Sequence, residues 1–236
     1  MGETMMVDRY EFFDKLASEG HVLVAGTNGS GKSVVLRGII ITAIMDGAQL
    51  MILDPKGGVE FGVMRDTVDC IAYGEDVDEF RPALMQAVNT MTERLERMKY
   101  RHERTCSEKP LYIIADEYGD MMGDKKKELQ PLLLKLARKG RAANVRLILA
   151  TQTPYKSIVT GDIKANLLTT VALRTRTKSD SRIIIDEPGA ELLNVGEALV
   201  KHKDNFDVVK EYVPYYTEEL FDEIAYLRTP PSKRWK

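Results

Sequence analysis

The chain is poor in the residues from which metal centres and disulfide frameworks are built, with two cysteines and three histidines in 236 residues. Cys70 and Cys106 stand far apart and fit no ligand spacing, so both are expected as reduced thiols in or near the core. His21, His102 and His202 are equally scattered, which excludes a histidine-built metal site. No apolar run approaches bilayer-spanning length, which argues against direct membrane insertion. The first twenty residues carry Asp8, Glu11, Asp14 and Glu19 and do not have the pattern of a secretory signal, so a cytoplasmic protein is expected. Charge of one sign is lacking too: a net −2 gives no global pull toward nucleic acid, and any such contact must come from a local patch. What remains, 44% hydrophobic and 30% charged residues, describes a soluble globular chain long enough for one sizeable core.

The most informative segment is His21-Val-Leu-Val-Ala-Gly-Thr-Asn-Gly-Ser-Gly-Lys-Ser33, an apolar run that feeds into G-x-x-x-x-G-K-S. This is the pattern of a phosphate-binding loop. Gly26, Gly29 and Gly31 let the backbone take a tight, partly left-handed path that aims successive N–H groups at an anion. Thr27, Asn28, Ser30 and Val34 complete the loop; Lys32 supplies a charge to the β- and γ-phosphates and Ser33 a hydroxyl to Mg²⁺. The context agrees, because a strand-like run precedes the loop and the apolar helix Val34–Met45 follows it.

Along the chain, residues 1–20 read as a short amphipathic helix with Tyr10, Phe12, Phe13 and Leu16 on its apolar side. Buried strands are expected at 21–26, Gln49–Asp54, Ile71–Tyr73, Pro110–Glu117, Val145–Thr151 and Val171–Leu173, with a final pair at Glu197–Val200 and Phe206–Tyr212. Helices are expected at Arg81–Arg104, Leu129–Lys139 and Thr217–Leu227, and Gly119–Lys127 reads as a charged loop. Strands alternating with helices imply an α/β fold with a mostly parallel sheet covered on both faces.

A phosphate-binding loop needs an acidic element to hold Mg²⁺ and activate water, and the end of the apolar run Leu111–Ala115 supplies Asp116 and Glu117. Asp116 is expected in the metal shell and Glu117 as the group that polarises the attacking water. Gln152 ends another strand, where a γ-phosphate would lie; a turn-capping amide would read the same way.

Beyond these motifs the chain resembles the FtsK/SpoIIIE family of double-stranded DNA translocases over roughly residues 21–200. The resemblance rests on Leu136–Pro154, with its A-R-K-G-R-A-A-N and L-A-T-Q-T-P segments, on Ile158–Asn166, Thr177–Asp186 and Gly189–Gly196, and on Asp54-Pro55-Lys56 and Asp116-Glu117-Tyr118-Gly119-Asp120. It implies a RecA-like P-loop core divided as lead helix 1–20, motor domain 21–212, and C-terminal helix with basic tail 213–236. It also implies ATP with Mg²⁺ as cofactors, Gln152 as γ-phosphate sensor, and a homo-oligomeric ring, a hexamer, around duplex DNA. Arg141 maps onto the family's arginine finger, which reaches the neighbouring subunit's nucleotide; Arg138 is second choice, and a solvated basic helix end would also explain both. The family's pore-loop contacts to DNA map onto Lys164, Lys178 and Arg182.

One departure is Thr153, where the family has an arginine; Lys156 is a candidate replacement. The short form is similar to motors of conjugative elements, plasmids and phages, for which a membrane-channel, relaxase or replication-initiator protein is a fitting partner. Two rivals stay open: a type VII-like protein-secretion ATPase, and a nucleotide-gated adaptor for a relaxase or initiator.

Overall fold

The computed structural model describes residues 2–18, 20–122, 126–152, 161–202 and 207–234. Eight strands form one sheet in the order β3-β2-β4-β5-β1-β6-β7-β8. They are β1 (Val22–Ala25), β2 (Gln49–Leu53), β3 (Cys70–Gly74), β4 (Leu111–Ala115), β5 (Val145–Thr151), β6 (Thr169–Ala172), β7 (Glu197–Lys201) and β8 (Val208–Tyr212). From β3 to β6 all neighbours are parallel, and β7 and β8 close the edge antiparallel. The α/β fold and mostly parallel sheet expected from the sequence are present.

The near-continuous apolar runs of β1, β4 and β5 follow from burial on both faces. Alternate residues feed two cores. Val22, Val24, Ile114 and Ile148 face α1 (Gly2–Ala17), α2 (Lys32–Met45) and α8 (Glu218–Arg228). Leu23, Ile113, Leu147 and Leu149 face α3 (Val77–Arg101) and α5 (Lys126–Lys139). Parallel strands collect their C-terminal ends on one edge of the sheet, and β1 stands there between β5 and β6, with β4 one strand further.

The lead helix docks through Phe13 onto α2 at Gly38, where a Cβ would lie 2.1 Å from the ring. Helix α8 is held by Arg37–Glu218 at 2.8 Å, by an edge contact of Phe221 with Phe61, and by a bidentate Arg228–Asp69 pair at 2.6 and 2.7 Å. Both cysteines are free thiols, and burial pushes Cys70 up to about 12.

Two differences from the sequence reading stand out. Within the expected charged loop Gly119–Lys127, the described residues are largely helical: α4 (Tyr118–Met122) buries Tyr118, Met121 and Met122, and α5 starts already at Lys126. The helices α6 (Gly161–Lys164) and α7 (Lys178–Ile185) were not read as helices at all. Phe206 and the segment 153–160, including Thr153 and Lys156, lie outside the described residues.

Candidate functional site

The phosphate-binding loop leaves the C-terminal end of β1 and runs into the N-terminus of α2. Gly29 and Gly31 are left-handed, at φ 70° and 103°, which a side chain would strain. Gly26 is needed for a different reason: a Cβ there would stand 2.6 Å from Ser30 Oγ and 2.7 Å from Leu173 Cβ. The loop is stitched to its neighbours, as Gly26 N donates to the Thr151 carbonyl (3.2 Å) and Thr27 N to that of Arg174 (2.9 Å). Asn28 and Gly29 face solvent. No side chain caps α2 and no acid sits in its first turn, so its leading N–H groups and dipole favour an anion. Lys32 is buried and donates to the Gly26 and Thr27 carbonyls at 3.0 and 3.1 Å. Burial pushes its ammonium down to about 8, against the pull of Glu117 and with a push from Lys56. Ser33 follows, half-buried.

The acidic pair sits at the end of β4. Asp116 is fully buried, at 0% exposure; its Oδ2 accepts from Lys56 Nζ at 2.7 Å, while its Oδ1 has no partner among the described residues. Burial raises its carboxyl above the ordinary range, opposed by Lys56. An orphaned, buried carboxylate oxygen near a lysine, with a serine hydroxyl on the adjoining loop, is a hard-oxygen donor set that fits Mg²⁺. Glu117, 2% exposed, accepts from Thr151 Oγ1 at 2.8 Å and from the Gln152 amide at 3.0 Å. Burial also raises its carboxyl, against those two donors. A carboxylate shifted toward neutrality and held rigid is suited to orienting water and taking its proton. Lys32, Ser33, Asp116, Glu117 and Gln152 thus share one edge of the sheet.

Arg141 lies on the opposite edge. It occupies a 3₁₀ turn (Gly140–Ala143) ahead of β5, exposed, and its charge acts on His21 at the start of β1. The length of β5 separates it from its own chain's loop by about 23 Å, seven residues at about 3.3 Å each. Arg138 is exposed near the same end, on the last turn of α5. Lys178 and Arg182 are exposed on α7. Lys164 is placed differently from them: its ammonium donates to the Ile183 carbonyl (2.9 Å) and to Asp186 (2.6 Å), tying α6 to the end of α7. Tyr10 is far from the loop, bonded to Asp46 beyond the C-terminal end of α2 at 2.6 Å.

Sequence reasoning gave no role to Lys56, Thr151 or Tyr73. The signal for Lys56 was the Asp54-Pro55-Lys56 turn at the end of a buried strand next to β4. Unforeseen too is an apolar cavity of about 280 Å³ beside Ser30 and Gly31, lined by Val34, Leu173, Val195, Val213 and Tyr215.

Residues 1–109 match the model of the FtsK/SpoIIIE family. The DNA translocase FtsK of Leptospira interrogans (serovar copenhageni) is 33% identical over 228 residues, 87% of this chain and 24% of the relative. That of Chlamydia trachomatis is 30% identical over 240 residues, 90% of this chain and 30% of the relative. The chain therefore spans between about a quarter and a third of the length of these curated relatives. Among solved structures, the pCW3 conjugation coupling protein TcpA, in its monomer form with ATPγS, superposes with a TM-score of 0.80 at 26% identity, covering 89% of this chain and 65% of that one. The cytoplasmic domain of the Thermomonospora curvata type VII secretion ATPase EccC gives 0.73 at 23% identity, over 89% of this chain and 28% of that one, a likeness of fold. With its loop, acidic pair and strand order in place, the chain belongs to the FtsK/SpoIIIE family of P-loop ATPases.

Proposed function

We propose that the protein is an ATP-driven translocase of double-stranded DNA that works as a homo-oligomeric ring, a hexamer, on the cytoplasmic side of a transfer process such as conjugation or plasmid or phage DNA movement. The observation that carries the ATPase half is the convergence of Lys32, Asp116 and Glu117 on one sheet edge, with the Glu117 carboxylate fixed by Thr151 and Gln152. The DNA half is supported by the identity with DNA translocases across most of the chain.

Lys32, the loop amides and the α2 N-terminus bind the phosphates. Ser33 and Asp116 would hold Mg²⁺, which when bound supplies positive charge against the β- and γ-phosphates. Glu117 orients the attacking water and accepts its proton. Because the Gln152 amide is bonded to Glu117, a shift of that carboxylate is felt at the end of β5, and Gln152 thereby reports the γ-phosphate's state. The apolar cavity beside Val34 fits the adenine ring, with Tyr215 as an aromatic wall. Arg141, too far from its own loop, completes a neighbour's site, so one copy holds an incomplete one. Lys178 and Arg182 present exposed charge to DNA phosphates; Lys164 joins them only by exchanging Asp186 for a phosphate.

Lys32→Ala and Glu117→Gln should abolish hydrolysis, and Lys164→Ala combined with Lys178→Ala should weaken duplex binding in a gel-shift titration. Normal duplex binding by that double variant would remove the DNA contacts from the proposal. The fold likeness to EccC does not by itself favour polypeptide as cargo.

A further inference from the structure

Asp116 is engaged by a group that neither the phosphate-binding loop nor the acidic pair accounts for. Lys56 Nζ lies 2.7 Å from Asp116 Oδ2, across 60 positions of sequence, and its side chain is 31% exposed while that of Asp116 is fully buried. The backbone of this lysine is fixed. Its backbone N–H donates to Asp54 Oδ1 at 3.1 Å, and the other oxygen of Asp54, itself buried, accepts from Tyr73 OH at 3.1 Å. Pro55 precedes it, and Gly57 and Gly58 follow with φ of 69° and 77°. Two consecutive left-handed residues turn the chain away at once, which leaves the ammonium as the part that can move. The left-handed φ at both positions disfavours any side chain, so this tight course is built into the site.

We propose that Lys56 is a second phosphate-binding lysine, held on Asp116 and transferring to the terminal phosphate of a bound nucleoside triphosphate. The inference rests on the nucleotide-site reading above. A divalent cation on Asp116 Oδ1 repels the ammonium on Oδ2 and weakens its hold, which favours its transfer to an anion on the same side. A flexible four-carbon stem with a compact charge suits such an exchange. Its destination lies on the same edge of the sheet, where β1 runs into the phosphate-binding loop and β4 ends at Asp116. With Asp116 as partner, the lysine also spares the buried carboxylate an uncompensated charge.

The test is fluorescence titration of the full chain with mant-ATP and mant-ADP at saturating Mg²⁺. A contact to the terminal phosphate is felt by the triphosphate alone. Lys56→Met is expected to weaken mant-ATP binding about tenfold, the worth of one charge-assisted hydrogen bond, and mant-ADP binding less than about twofold. Lys56→Arg should stay within about threefold of the original chain for both. Lys56→Gln, which keeps a hydrogen bond to Asp116, should show the same triphosphate-specific loss and covers the case in which the methionine variant does not fold. Equal losses for both nucleotides, or none in either neutral variant, would make Lys56 a structural counter-ion and overturn the proposal. Lys32→Ala should abolish binding of both nucleotides; if it does while the Lys56 variants leave the ATP-to-ADP ratio untouched, only the Lys56 assignment falls. If the original chain binds neither nucleotide, the site reading falls with it.

Discussion

At His21 the ring Nδ1 accepts the Leu147 amide at 2.9 Å in a position only 2% exposed. Burial pushes the imidazole down to about 4, the Ala137 carbonyl works against that, and Arg141 and Arg146 add to it. The folded state therefore binds fewer protons than the unfolded chain between pH 4 and about 6.5, and stability falls as pH drops through that window. The loss approaches about 3 kcal/mol at its lower end. Thermal melts at pH 7 and pH 5 should show the drop, and His21→Asn, whose amide oxygen can take the same N–H, should flatten it. Glu117→Gln belongs to the same scale: the neutral amide keeps an oxygen for Gln152 N, so nucleotide binding should persist while single-turnover hydrolysis is lost. Lys32, Ser33, Asp116 and Glu117 were legible in the sequence because each is fixed by local spacing at a strand end. Lys56 was not, because its meaning lies in a partner 60 residues away. Lys164 was legible as a charge but not as a pair, since Asp186 meets it only through the packing of α6 on α7.

Among the elements, α1 and α2 meet through a glycine. Gly38→Ala would drive a methyl group into the Phe13 ring, which is itself fully buried. Overpacking of this kind costs about 1–3 kcal/mol, and a melting curve should register a fall of about 2–10 °C. If the melting point is unchanged, the lead helix is not seated on α2 as described. The long strands were readable because burial on both faces leaves unbroken apolar runs, and the register of β1 between β5 and β6 then places every strand end. Helix α7 escaped notice at eight residues, too short for a clear 3.6-residue period. Its signal was the capping box, in which Thr177 and Asp180 exchange side-chain and backbone bonds at 3.1 Å. Helix α4 was masked by the charges that follow it, although Tyr118, Met121 and Met122 carry helical spacing and all are buried.

For the whole molecule, the opposite placement of Arg141 and Lys32 has a consequence that a single chain cannot test. If Arg141 acts on a neighbour, Arg141→Ala should lower the turnover rate by about 10³–10⁵-fold. Mixing it with Lys32→Ala should then restore part of the activity, because some interfaces join an intact loop to an intact arginine. A mixture as inactive as its parts would place Arg141 outside catalysis. Steady-state ATP hydrolysis with and without long duplex DNA, at two salt concentrations and with Lys32→Ala as the blank, tests the central claim most directly. Strong stimulation that collapses with salt is predicted, because each phosphate contact contributes about 0.9 to the log–log slope. Turnover that duplex DNA leaves unchanged at both salt concentrations would contradict the account.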